Sequence, residues 1–312
     1  MNWLVFCINI GISLSYVAVL YITSKGIENY PARRDDPRVI KRRLKNVLMV
    51  SILNTAIVPL LHSIIVPQLS YKEAFLNIGI IPGYHQHGSS QIKLYIGTIL
   101  KNLCLVMLLY IGPLTDMVLY YISNKESSIL SAFREEFMNI WGLRNYIFAP
   151  ITEELFYTSL LLNTYLTLEP RKPKLTTLLW QPSLFFSIAH IHHAYEATLV
   201  GNFSTASIII NTLFQMAYTG IFGAFTNFVF LRTGGNLWSC ILLHSFCNVM
   251  GFPSGSELYE YFTVIKTPKS LKIQHLLSIW NKVYYILLFM GILFFKDGLW
   301  RLTSCPEHNL IH

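Results

Sequence analysis

Apolar residues run through this chain in blocks longer than the core of a small soluble domain requires. A spanning helix needs about 20 mainly apolar residues. On that template eight stretches read as spans: 2–23, 47–69, 92–122, 145–168, 176–200, 204–231, 236–252 and 278–300. The stretch 92–122 is long enough to bend, with Gly112-Pro113 the expected break. Segment 236–252 is short and polar, as suits a helix facing inward. Residues 129–144 set Phe133, Phe137, Ile140 and Trp141 against Arg134, Glu135 and Glu136, the pattern of an amphipathic helix on a membrane surface. Residues 2–23 lack a basic leader and a small-residue cleavage site, so they read as a retained first helix rather than a secretory signal. The expected fold is all-α, a polytopic transmembrane helix bundle of about eight spans. No linker-like break and no internal repeat divides it, so a single integral-membrane domain over 1–312 is expected.

Composition agrees. Of 312 residues 53% are hydrophobic and 13% charged, against about 25% charged in soluble domains, and mean hydropathy is +0.45. The formal net charge of +8 would raise nucleic acid as a partner for a soluble protein. Here the basic residues lie between apolar blocks, where they act as topology signals toward membrane lipid; no nucleic-acid partner is expected. From Lys25 to Lys45 there are eight Lys/Arg against three acids, read as a cytosolic anchor. Placing that segment in the cytosol and alternating gives fourteen Lys/Arg on the cytosolic side and eight on the other, although Arg171, Lys172 and Lys174 run against the bias. The sequon Asn202-Phe203-Ser204 then faces the cytosol and is expected to stay unglycosylated. Cys7, Cys104, Cys240, Cys247 and Cys305 show neither a disulfide framework nor zinc-ribbon spacing.

Against this background the polar groups inside apolar stretches stand out. Glu153 and Glu154 are adjacent at the start of one of them. An acid at membrane depth costs about 2.5–3.5 kcal/mol on insertion scales. The pair lies about 100° apart on a helix, so one carboxylate is expected to face a site and the other a supporting partner. The bland alternative is that both complement the dipole of a helix N-terminus, with Thr152 a further capping candidate. His190 and His193 are i, i+3 in the next stretch, with His192 pointing elsewhere; a lone His there is as readily a structural hydrogen-bonding residue. His244 and Asn248 are i, i+4 on one face, where they could present two donors to a developing oxyanion or make an interhelical polar contact. Arg232-Thr233-Gly234-Gly235-Asn236 is a tight turn and lacks the context of a phosphate loop.

Taken in order, Glu153-Glu154, Phe186-x-x-x-His190 and His244-x-x-x-Asn248, preceded by Asn236-Leu237-Trp238, resemble the CAAX prenyl endopeptidase family, the Ras-converting enzymes, and its fungal members in particular. The resemblance is strongest over about 140–255. It departs from the wider pattern at one position: an Arg expected four residues after Glu154 is Thr158 here, read as the mark of a subgroup. The resemblance implies removal of the C-terminal tripeptide from prenylated CAAX proteins such as Ras-type GTPases and prenylated peptide precursors, in the endoplasmic reticulum membrane, with the site facing the cytosol. It implies Glu153 and His190 as activators of a water, His244 and Asn248 as oxyanion donors, Glu154 and His193 in support, and no cofactor or metal. Four rivals stand beside this reading, three from the residues themselves and the last from the resemblance. They are a zinc protease using Glu153, His190, His193 and His244, a thiol protease using Cys247, a proton-coupled transporter, and a non-catalytic binder of prenylated tails.

Overall fold

The computed structural model describes residues 2–22, 33–84, 86, 91–124, 128–171, 173–266, 268, 270–305 and 309–310. Lys25, Lys125, Lys172 and Lys269, four of the residues counted for sidedness, lie outside them. The described residues form helices and contain no strand. In chain order these are α1 (Trp3–Val19), α2 (Pro37–Ile65), α3 (Tyr71–Leu76), α4 (Ile92–Leu109), α5 (Ile111–Ser123) and α6 (Ile129–Phe137). A continuous helix, α7, then covers 140–168, followed by α8 (Leu175–Ala189), α9 (His192–Val200), α10 (Thr205–Arg232), α11 (Leu237–Met250), α12 (Glu257–Glu260) and α13 (Leu271–Leu302).

Four of them, α2, α4, α10 and α13, are long and apolar enough to cross a membrane. The other expected spans are helical but shorter, interrupted or, for α7, less apolar. Their outward faces carry what a soluble protein would bury: Leu48, Ile52 and Ile64 on α2, and Ile210, Leu213 and Ile221 on α10, are all exposed. Large apolar patches of that kind belong against lipid. The molecule is a helical membrane bundle.

Several boundaries differ from the hydropathy reading. α2 begins ten residues early because Asp36 caps it, accepting from the Arg38 N–H at 2.8 Å, and Pro37 occupies the first turn. Arg38, Lys41, Arg42, Arg43 and Lys45 are therefore helical rather than part of a loop. The break in 92–122 falls at Tyr110, before Gly112-Pro113. Pro113 has no N–H to offer the carbonyl of Leu109, so the turn opens on the N-terminal side of the proline. α13 fills the opening, and a Cβ on Gly291 would come 2.4 Å from that carbonyl. The segment 176–200 breaks at His190, which ends α8, before α9 restarts at His192.

α7 is the centre of the bundle and touches α1, α2, α8, α10 and α11. It contains two wide π turns, Leu143–Phe148 and Glu154–Leu160, and every residue of the second is buried. Such turns insert one extra residue and recur at functional sites. Polar anchors fix α7 on several sides. Ser159 Oγ donates to the Ile78 carbonyl at 2.6 Å and Asn163 Nδ2 to the Asn77 carbonyl at 2.9 Å. Tyr157 OH reaches the Ser13 carbonyl of α1, and His62 Nε2 lies 3.2 Å from Thr164 Oγ1. α8 and α10 approach closely through small residues: a Cβ on Gly223 would stand 3.0 Å from Ser183 Cβ, and Ser187 Oγ donates to the Met216 carbonyl at 2.7 Å.

Candidate active site

Glu153 and Glu154 sit in the middle of α7, not at its N-terminus. The helix starts at Ile140, where Asn139 Oδ1 accepts from the Gly142 N–H at 2.8 Å. This removes the capping explanation. Thr152 Oγ1 likewise donates back to the Phe148 carbonyl at 2.9 Å instead of capping. The two carboxylates leave the backbone in different directions but reach one imidazole from its two nitrogens. His244 Nδ1 lies 2.7 Å from Glu154 Oε1, and His244 Nε2 lies 3.7 Å from Glu153 Oε2.

Their surroundings differ. Glu154 is 2% exposed, and its Oε2 accepts from Thr158 Oγ1 at 2.7 Å, which in turn lies 3.1 Å from Thr226 Oγ1 on α10. Thr158, one turn along, thus supplies the brace for which an Arg was expected, without burying a second charge. Glu153 instead lines a cavity of about 170 Å³. Its side chain keeps 20% exposure. His190 lines the same cavity from the end of α8. Its Nδ1 is 2.8 Å from the Phe186 carbonyl. A carbonyl only accepts, so Nδ1 carries the proton and Nε2 is left as an acceptor. Phe186 lies edge-on to both His190 and His244, with centroids 4.7 and 6.3 Å away, and Phe222 covers His244 from α10 at 4.7 Å.

Asn248 is placed differently. It is exposed on α11 and is not part of the cavity wall; its Nδ2 donates to the Asn145 carbonyl at 3.0 Å. That carbonyl has no helical partner. The Ala149 N–H goes to Arg144, and the next residue, Pro150, has no N–H. Asn145 itself lines the cavity, and the Asn248 amide retains a second hydrogen.

His193 joins a separate polar group at the cavity mouth. Its Nδ1 is 3.2 Å from both Glu196 Oε2 and Arg34 Nη1. Buried Glu196 also pairs with Arg43 at 2.7 Å and accepts from Tyr21 OH at 3.1 Å. Hydropathy had missed Glu196, although an acid three residues after His193 in an apolar stretch is the same signal as the Glu pair. Also missed was the wall that α1 contributes through Tyr16, Val17 and Leu20.

The geometry bears on two of the rivals. Among the described residues, the group of three whose ligand atoms converge is His192, His193 and Glu196, rather than the zinc set drawn from the sequence. A guanidinium already occupies the Glu196 carboxylate there. A thiol mechanism needs a histidine for Cys247, yet both nitrogens of His244 face carboxylates.

Two acceptors on a cavity, Glu153 and the His190 ring, beside a carboxylate-held histidine make an arrangement suited to activating water. A family model described as Type II CAAX prenyl endopeptidase Rce1-like matches residues 135–250. CAAX prenyl protease 2 of Saccharomyces cerevisiae is 47% identical over 311 residues, covering 98% of this chain and 98% of that protein. CAAX prenyl protease 2 of Homo sapiens is 31% identical over 257 residues, 81% of this chain and 72% of that protein. The protein named probable CAAX prenyl protease 2 of Schizosaccharomyces pombe is 28% identical over 306 residues. No solved structure matches. With near-complete coverage at this identity, the chain belongs to the CAAX prenyl endopeptidase family.

Proposed function

We propose that this protein hydrolyses the peptide bond after the prenylated Cys of a CAAX tail and releases the C-terminal tripeptide. The observation that carries this reading is the placement of Glu153 and His190 on one cavity that adjoins a larger apolar one. The second cavity, about 550 Å³, lies between α1 and α8, shares Val17, Ala189 and His192 with the first, and opens outward past Leu14, Leu184 and Ile188. An isoprenoid chain entering from lipid would occupy it while the peptide lies against Glu153.

Glu153 takes a proton from a water, with His190 Nε2 accepting from the same water and orienting it. The hydroxide attacks the scissile carbonyl, and the donors assigned to the tetrahedral oxyanion are His244, reached past Glu153 from behind the cavity wall, and the remaining Asn248 amide hydrogen, behind Asn145. Glu153 then returns the proton to the leaving amine. Water is consumed, and a prenylcysteine carboxylate and a tripeptide are formed. Glu154 and His193 act as supports, and no metal enters the scheme. Substrates on this reading are Ras-type GTPases and prenylated peptide precursors. The protein would sit in the endoplasmic reticulum membrane with its cavity facing the cytosol, an orientation supported by the basic start of α2 at the cavity mouth.

The direct test is incubation of the purified protein in lipid nanodiscs with a farnesylated CAAX peptide. Mass spectrometry should show loss of the last three residues; binding without that loss would leave a non-catalytic tail binder. A second expectation concerns Asn248→Ala. Losing an oxyanion donor typically costs about 10²–10³ in kcat, so kcat should fall by that order with KM little changed. A change confined to KM would make Asn248 a residue that only holds Asn145 in place.

A further inference from the structure

The cavity holds more positive charge than water activation requires. Arg34, Arg43 and Arg144 all line it, opposite a largely apolar wall. Two of them are committed. Arg43 is paired with buried Glu196 at 2.7 Å. Arg144 is tied to Asp35 at 2.9 Å, to Asn145 Oδ1 at 2.8 Å and to the Arg34 carbonyl at 3.0 Å. That last bond fixes the Arg34 backbone at the mouth. The Arg34 side chain keeps 44% exposure, and its ion pairs, to Asp35 at 3.8 Å and Glu196 at 3.9 Å, are at the outer limit of contact.

We propose that Arg34 receives the free C-terminal carboxylate of the substrate and so sets the cut three residues from the chain end. This rests on the tail-cleaving reading of the same cavity. Distance supports it. The His190 and His193 ring centroids are 5.8 Å apart, and Arg34 Nη1 is in hydrogen-bond contact with His193 Nδ1 at 3.2 Å. These steps keep Arg34 within about 10 Å of His190, no farther than an extended tripeptide reaches. Chemistry supports it too. A guanidinium offers a planar pair of donors that a carboxylate accepts in bidentate fashion, and that fork is lost to a Gln and matched only in charge by a Lys. Arg43 and Arg144 orient the residues around Arg34 and keep the mouth positive, which also draws an anionic chain end inward.

The experiment compares a farnesylated CAAX peptide as the free acid with the same peptide as its C-terminal amide, in the wild type, Arg34→Gln and Arg34→Lys. In the wild type, amidation should lower kcat/KM about 10- to 100-fold, the usual loss for a hydrogen bond to a charged group, with most of the change in KM. In Arg34→Gln the acid should already show that loss, and amidation should add little; Arg34→Lys should recover part of it. Equal cleavage of acid and amide by the wild type would overturn the proposal while leaving the protease reading intact. So would an undiminished amide penalty in Arg34→Gln. If the wild type cleaves neither peptide, the protease reading itself fails, and the proposal with it. Should Arg34→Gln not fold, Arg34→Lys carries the comparison: an amide penalty smaller than that of the wild type supports the proposal, and an undiminished one overturns it.

Discussion

Glu153→Gln should lower turnover of a prenylated CAAX peptide by about 10²–10⁴-fold, the range expected when a positioned general base is removed. Gln keeps the size of the side chain and its ability to accept from a water, but it cannot hold the proton that must be carried to the leaving amine. The protein should remain folded, because among the described residues the ion pair Glu153 makes is the long one to His244 Nε2, at 3.7 Å. Substrate binding should change little, since Glu153 contributes only part of the cavity wall. The measurement is single-turnover tripeptide release, run beside a thermal unfolding curve. Turnover within tenfold of the wild type, with an unchanged Tm, would remove Glu153 from the mechanism. His190→Gln makes a useful companion, because its Nε2 is defined as an acceptor only by the Nδ1 bond to Phe186.

How much of this could be read from residues alone depended on what leaves a mark in hydropathy. Glu153, Glu154, His190 and His244 were visible because each is costly within an apolar stretch. The same argument applied to position 196 would have exposed Glu196. Applied to Asp116 it would have misled, for that buried acid is structural, accepting from Trp280 Nε1 at 2.7 Å, from Ser256 Oγ and from the Leu258 N–H. An intramembrane acid is thus informative only through its company. The start of α7 was hidden because Arg144 and Asn145 interrupt the apolar pattern while Asn139 supplies the cap locally. Its π turns were hidden for a different reason. One extra residue per turn changes neither composition nor periodicity enough to register, and the missing Pro150 N–H is compensated from α11, about a hundred residues away. The α1 wall left no mark because Tyr16, Val17 and Leu20 are what any span would contain.

Glu154→Gln should be almost as damaging as Glu153→Gln, although Glu154 does not line the cavity. Its Oε1 holds His244 Nδ1 at 2.7 Å, and its Oε2 takes the Thr158 hydroxyl. A carboxylate only accepts, and His244 meets one at each nitrogen, so both carry protons: Glu154 holds Nδ1–H, and Nε2–H is turned toward Glu153 and the reacting atoms. An amide can face both partners only if one of them gives up or redirects a proton. If its oxygen faces His244, its NH₂ meets the Thr158 hydroxyl, which must turn fully to Thr226; if reversed, its NH₂ faces Nδ1, which must give up its proton, and His244 loses the charge that Nε2–H carries toward the reacting atoms. In the serine-protease triad, neutralising the carboxylate that orients the histidine costs about 10⁴-fold in kcat, and a loss of about 10²–10⁴-fold is expected here. Thr158→Val provides the graded control. It removes one hydrogen bond to a buried charge, worth about 1.5–3 kcal/mol, and should cost about 10- to 100-fold without altering the protonation of His244. The expected order of kcat is wild type, then Thr158→Val, then Glu154→Gln. Two observations would go against it. If Glu154→Gln lowered Tm but spared kcat, the Glu154–Thr158–Thr226 chain would only join α7 to α10. If Thr158→Val fell as far as Glu154→Gln, the hydroxyl brace rather than the charge on Glu154 would be what holds His244.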